Sequence, residues 1–124
     1  HGEAGMQFTD NLMHNNGLDS VFVSDPGFAS VTGSPLDSGK FRTPTLRNVA
    51  LSAPYMHDGR FLSLEQVIDH YNTGGVPSST LDPFMKPEMG GLALAPVQKE
   101  ALVAFLHTLT DTVFVNNSKF QDPH

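Results

Sequence analysis

Residues 41–75 read FRTPTLRNVALSAPYMHDGRFLSLEQVIDHYNTGG, and the reading of this stretch decides the fold. Its second half predicts a helix over 63–71. Ser63 followed by Gln66 has the spacing of a capping box, in which each side chain satisfies a backbone N–H at the helix start. Leu64, Val67, Ile68 and Tyr71 recur at i, i+3, i+4 and i+7, the pattern of one buried helical face. Asn72-Thr73-Gly74-Gly75 stops the helix, because glycine takes the left-handed conformation that ends helices at little cost. Its first half predicts a shorter helix over 44–50, with Pro44 in the first turn, where no N–H donor is needed, and Leu46, Val49 and Ala50 inward.

Outward from this stretch the chain is mostly loop. Asn15-Asn16-Gly17, Asp25-Pro26-Gly27, Thr32-Gly33-Ser34-Pro35 and Asp37-Ser38-Gly39 crowd turn signals into residues 1–43. Residues 72–94 carry prolines at 77, 83 and 87 and read as loop again. Pro96 to Leu109 predicts the strongest helix. Val97, Ala101, Leu102, Phe105, Leu106 and Leu109 form its apolar stripe, and Lys99, Glu100 and His107 fall on the other side. From Val113 onward the tail reads as polar and frayed or bound to a partner. Strand signals are weak. The expectation is a mainly α domain, with few helices and long ordered loops.

Composition narrows the function classes. Thirteen acidic residues against seven basic ones give a net charge of −6, which argues against nucleic acid as a partner. No apolar run approaches the roughly 20 residues of a membrane-spanning helix. There is no cysteine, so neither a disulfide nor a thiolate is available within these 124 residues. Long loops in a small domain want something to wrap around, and a buried haem is one such thing. Iron in a haem site needs an axial histidine, often with Met, His or Tyr opposite. The six histidines are His1, His14, His57, His70, His107 and His124, and none sits in a zinc-site pattern.

The stretch 41–75 resembles the signature of the bacterial di-haem cytochrome c peroxidase and MauG-like family. PTLRN, APYMHDG and HYN-x-GG occur in order and at the family's spacing, and the ending AFLHTLTD fits. The opening HGEAGMQFTDNLMHNNGL is similar to the segment after the family's second haem-attachment motif. The resemblance implies a cytochrome c-like fold over 1–124, the C-terminal haem domain of a longer protein, cut just inside its N-terminal motif. His1 then matches the His of CxxCH and would be the proximal iron ligand of a haem c whose thioether cysteines are not in this sequence.

The resemblance extends to individual residues. Tyr71 matches the position of the distal iron ligand, Met in peroxidases of the family and Tyr in MauG-like members. Met85 is the rival soft ligand, and a core tyrosine or a gap-filling methionine are the alternatives. His57 matches a haem-pocket position; otherwise it is a polar loop residue, with Asp58 orienting it or capping the turn. Arg42 is the candidate clamp on a haem propionate, since a guanidinium grips a carboxylate bidentately, whereas Arg47 is expected to hold the PTLRN turn. Ser52 and Pro54 match positions whose backbone carbonyls bind calcium in the family.

The implied activity is electron relay to a peroxidatic haem on the missing N-terminal domain, reducing hydrogen peroxide to water. The alternatives are MauG-like oxidation of a protein substrate, or a haem-free structural or partner-binding module. No catalytic residue is assigned to this stretch, and the isolated chain is expected to be inactive. The implied partners are the N-terminal haem domain, a small electron donor of the cytochrome c or cupredoxin type, and a second copy in a homodimer. The implied compartment is the periplasm.

Overall fold

The computed structural model describes residue 1 and residues 7–85 and 90–120. Pro87, residues 2–6 and the last four residues, His124 among them, fall outside these. The elements are strand β1 (Met13–His14), helix α1 (Ala29–Thr32), strand β2 (Phe41–Arg42), and helices α2 (Leu64–Thr73), α3 (Pro96–Thr108) and α4 (Thr112–Val115). Single 3-10 turns lie at Pro35–Asp37, Val49–Leu51 and Ser118–Phe120. The mainly α, loop-rich expectation holds.

Helix α2 forms where the capping pattern puts it. The Ser63 hydroxyl accepts from the Gln66 N–H at 3.4 Å, and the Gln66 side chain accepts from the Ser63 N–H at 3.2 Å. Gly74 ends the helix at φ 83°. Its Leu64 and Ile68 join Leu18 and Met85 as the buried apolar core, while Val67 and Tyr71 are half-buried.

The structure refines four readings. The first concerns residues 44–50, which do not form a helix. Asn48 takes a left-handed φ of 62°, which breaks any helix there, and a single 3-10 turn comes after it at Val49–Leu51. The second concerns strands. A small ladder of β1 with β2 pairs Met13 with Arg42 and His14 with Phe41 antiparallel, and two-residue strands carry no periodic signal in a sequence. The chain from 7 to 14 continues alongside 41–46: Leu12 O accepts from the Thr43 N–H, Gln7 O from the Leu46 N–H, and Thr9 donates to Thr43 O.

The third concerns the tail, where residues 111–120 form a short helix and a 3-10 turn. Asp111 caps α4 by accepting from the Phe114 N–H at 2.9 Å. Phe114 stacks on Phe120 with centroids 4.9 Å apart, and the Arg47 guanidinium sits 4.6 Å above the Phe114 ring while pairing with Asp111. Arg47 thus ties the PTLRN turn to the C-terminal segment.

Helix α3 presents its stripe differently from expectation. The residues that are partly covered are Lys99, Val103 and Leu106, and Lys99 pairs with Asp69 of α2 at 2.7 Å. Val97 is 69% exposed and Phe105 43%. The chain as a whole exposes 8289 Å². A folded monomer of 13.4 kDa exposes roughly 6,500 Å² by the usual size scaling. Large apolar side chains contribute to that exposure, Val23, Val31, Phe84 and Val113 among them.

Replacing Ser63 with Ala should remove one half of the capping box and cost about 1 kcal/mol of stability. Denaturant unfolding of the variant against the parent measures it, and no loss would mean that the box is not holding the start of α2.

Candidate functional site

Four consecutive residues, His14 to Gly17, organise the neighbourhood of the candidate ligands. Asn15 is the most deeply buried side chain among the described residues, 1% exposed. Its amide donates to the Ser78 and Thr80 hydroxyls at 3.0 and 2.9 Å, and its oxygen accepts from the Gly17 N–H at 2.9 Å. Its backbone carbonyl accepts from the Asp82 N–H. Thr80 in turn donates to Ser38 O. A buried amide so fully engaged replaces the hydrogen bonds that irregular backbone would otherwise lack.

Gly17 and Gly75 lie back to back. A Cβ on Gly75 would stand 2.9 Å from Gly17 O, and both residues have φ near 70° (69° and 72°). Glycine is required at both on conformational grounds, and the close approach lets Gly17 O accept from the Val76 N–H at 2.8 Å. On its other side Asn16 meets α2: its carbonyl accepts from His70 Nε2 at 2.8 Å.

His14 lies between two carboxylates. Nδ1 donates to Asp82 at 2.5 Å and Nε2 to Asp10 at 2.8 Å. Burial pulls the His14 pKa down, but the hydrogen bonds to Asp82 and Asp10 outweigh it and raise it above 6.5. The Leu12 N–H, with His14 beside it, holds the Asp10 carboxyl down to about 2. The imidazolium is therefore the form that the fold selects. The loop bearing Met85 is fastened from both ends of one tetrapeptide, through His14 and Asn15 at Asp82 and through Gly17 at Val76.

The predicted site residues fall around this joint. Tyr71 is half-buried on α2, next to His70, whose ring meets it edge-on at 5.5 Å. Burial raises the Tyr71 pKa, and the Asn16 side chain opposes that by favouring the phenolate. Met85 lies in the core at 7% exposed, and its N–H donates to Asp82 O. His57 stacks on Phe41 with centroids 3.8 Å apart, its ring 16% exposed and 4.0 Å from the Asp25 carboxylate. Asp58 does not orient His57; it accepts from Arg60 Nε at 2.7 Å and from the Arg60 N–H, so it caps the turn. Arg42 is exposed and donates to Asn11 Oδ1 at 3.0 Å. Ser52 and Pro54 are exposed beside a cis Ala53–Pro54 bond.

His1 Nδ1 lies 3.1 Å from Phe8 O. An Nδ1–H donated to a backbone carbonyl fixes the tautomer and leaves Nε2 with its lone pair, the arrangement of a metal-ligating histidine. The donor types of His1 Nε2 and the Tyr71 phenol suit haem iron. Covalent attachment would need cysteines from outside these 124 residues. Among the described residues no cluster of three or more His, Asp or Glu is placed to hold a bare metal ion. Two surface hollows of about 420 and 430 Å³, one between α2 and α3 and one beside Ser20–Phe22, contain none of the predicted site residues.

Comparison with known proteins gives the geometry its context. No family model matches the chain. It is 44% identical over 86 residues to the cytochrome-c peroxidase IdrP1 of Pseudomonas sp. (strain SCT), covering 69% of this chain and 22% of that protein. It is 37% identical over 103 residues to the methylamine utilization protein MauG of Methylorubrum extorquens, covering 83% of this chain and 28% of MauG. A crystal structure of a MauG-like protein associated with microbial copper homeostasis matches it with a TM-score of 0.78 at 38% identity, over 90% of this chain and 36% of that one. The chain belongs to the cytochrome-c peroxidase and MauG-like family.

As a family member it spans between 22% and 36% of the length of these relatives. The curated relatives are named as cytochrome-c peroxidases and as MauG. Among the described helices none is long and apolar enough to cross a membrane. The sequence singled out Tyr71, Met85 and His57, but it missed His14, Asn16 and Asp82, and it took Asn15 for a turn residue. The signal was present in Asn15-Asn16, two amides between Met13 and Leu18, where a solvated turn has no need of apolar neighbours.

Folding raises the His14 pKa above 6.5, so the pair stabilises fully below about pH 6.5 and loses that contribution as pH rises through the raised value. Asp10 acts oppositely, stabilising above 3.8 and losing that contribution as pH falls toward about 2. His14→Gln should therefore cost most near pH 6, and its deficit against the parent should shrink toward pH ~9 in denaturation midpoints. A pH-independent deficit would remove the ion pair. Asn15→Ala, which leaves Ser78, Thr80 and the Gly17 N–H without their partner, should cost about 3 kcal/mol or more in the same assay.

Proposed function

We propose that this chain is the C-terminal, electron-relaying haem domain of a periplasmic di-haem cytochrome c peroxidase that reduces hydrogen peroxide to water. The observation that carries the reading is the His1 ring, whose Nδ1 is engaged by Phe8 O and whose Nε2 is left for iron. A haem bound there supplies reversible one-electron chemistry. His1 would hold the iron, with Tyr71 as its companion ligand, because Tyr71 is half-buried beside His70, whereas the Met85 side chain is occupied as core packing.

The remaining residues shape the surroundings. His57 lies flat against Phe41 and would line the surroundings of the haem. Arg42 lies exposed beside Asn11, free to turn its guanidinium to a propionate. The Ser52 and Pro54 carbonyls offer oxygen ligands to calcium, completed by the N-terminal domain. That domain and a homodimeric partner cover the exposed apolar side chains, and a cytochrome c or cupredoxin delivers electrons one at a time. Each peroxide consumes two electrons and two protons to give two waters, so two donor molecules are oxidised per turnover.

One observation favours a second reading. A tyrosine at position 71 is what the resemblance associates with MauG-like members, which oxidise a protein rather than accept electrons from a donor. A phenolate lowers an iron potential relative to methionine, and a low-potential relay suits storage of oxidising equivalents.

In the full-length haem-bearing protein, Tyr71→Phe should abolish phenolate-to-iron absorption and raise the reduction potential, and Met85→Leu should leave both in place. Stopped-flow mixing with peroxide and a reduced one-electron donor should show two donors oxidised per peroxide. Peroxide consumption with protein oxidation and no donor oxidation would favour the MauG-like reading. The absence of any haem absorption would favour a structural module.

A further inference from the structure

We propose that the hollow between α2 and α3 is a docking site for a basic protein partner, which seats a lysine or arginine side chain between the two helices. The hollow holds about 420 Å³ and contains none of the proposed iron ligands, so its role is separate from the haem reading. Its floor is apolar, made of the buried Ile68 of α2 with Val103 and Ala104 of α3. Its rim is acidic. Glu65 and Asp69 stand on the α2 side and Glu100 on the α3 side, all of them exposed. An apolar floor under a carboxylate rim matches a long cationic side chain, whose methylene stem lies along apolar surface while its charged tip stays at the edge.

Lys99 shows what such a side chain does there. It lines the same hollow, is partly covered, and pairs with Asp69 at 2.7 Å. One carboxylate of the rim is thereby answered from within the chain. The others are not: among the described residues Glu65 and Glu100 take no part in an ion pair. His107, the other basic residue of α3, does not line the hollow. Unanswered negative charge therefore remains on both helices, in a chain whose net charge is −6. Such a field draws a basic surface in from a distance and opposes an acidic one, which makes a second copy of this chain a poor occupant. Among the described residues no cluster of three or more His, Asp or Glu is placed to hold a bare metal ion. The charge is arranged for a cation that arrives on a stem.

The test uses the full-length haem-bearing protein. The probe is a helical peptide of alanine, leucine and lysine with its lysines on one face. Carbodiimide joins a carboxylate to a lysine amine where the two meet, and mass spectrometry of the digest locates each link. The links should fall on Glu65 and Glu100. Titration calorimetry should show binding that weakens with added salt. Glu65→Gln combined with Glu100→Gln should weaken it about fivefold to tenfold, the worth of a pair of exposed ionic contacts. Asp25→Asn combined with Asp37→Asn makes the same change of charge elsewhere and should leave the affinity as it is. Ala104→Phe fills the floor without touching charge and should weaken binding by a similar factor to the glutamine changes. Links scattered over the acidic surface, or equal losses in the two charge variants, would overturn the proposal in favour of diffuse attraction. So would an Ala104→Phe variant that binds as the parent does, or a parent that does not bind. If Glu65 and Glu100 fail to couple to a small free amine in the absence of the peptide, another part of the longer protein fills the hollow, and that result overturns it too.

Discussion

The burial of Asn15 is the constraint on which the rest depends. A chain with few helices, whose buried apolar core among the described residues is Leu18, Leu64, Ile68 and Met85, has little hydrophobic burial with which to order its loops. It uses a polar side chain in the interior instead, and the cost of leaving that amide unpaired makes the surrounding geometry nearly obligatory. Asn15 requires Ser78 and Thr80 where they are. That fixes Asp82, and with it the His14 pair and the course of the chain into Met85. Gly17 and Gly75 allow the two loops to touch along their backbones. Helix α2 is then anchored in its last turn by His70 against Asn16, so its Tyr71 is presented by a loop network as much as by its own helix.

Small, well-bonded loops can be stiff without a large core. In the proposed reading that stiffness would hold the ligands of a one-electron centre. Apolar side chains of α3 and the tail, Val97, Phe105 and Phe114 among them, are exposed in this chain, which spans 22% and 28% of the length of the two curated relatives compared.

Range decided how much was legible in the sequence. The start and stop of α2 were readable because Ser63, Gln66 and Gly74 act on neighbours three or four residues away. The resemblance of residues 41–75 was readable because it is a linear pattern. The ordered tail was not, since it depends on Arg47 reaching Asp111 and Phe114 across 64 residues or more. The covered face of α3 was misjudged for a related reason: its apolar stripe is real, but what lies against the helix here is Lys99 paired with Asp69. At the site, Tyr71 and His57 stood out by position, whereas His14 and Asn16 became visible only through partners 68 and 54 residues away.

Those separations bear on the order in which the protein can be made. His14 waits for Asp82, Asn15 for Ser78 and Thr80, and Arg47 for Asp111. Contacts that close long stretches of chain form late, because the entropy of closure comes before their reward. A strand of this sequence emerging from a ribosome or a translocation pore therefore has its turn-rich first half unfastened until more than sixty further residues have appeared. During that interval His14 and Asn15 are without the partners that hold them in the folded chain.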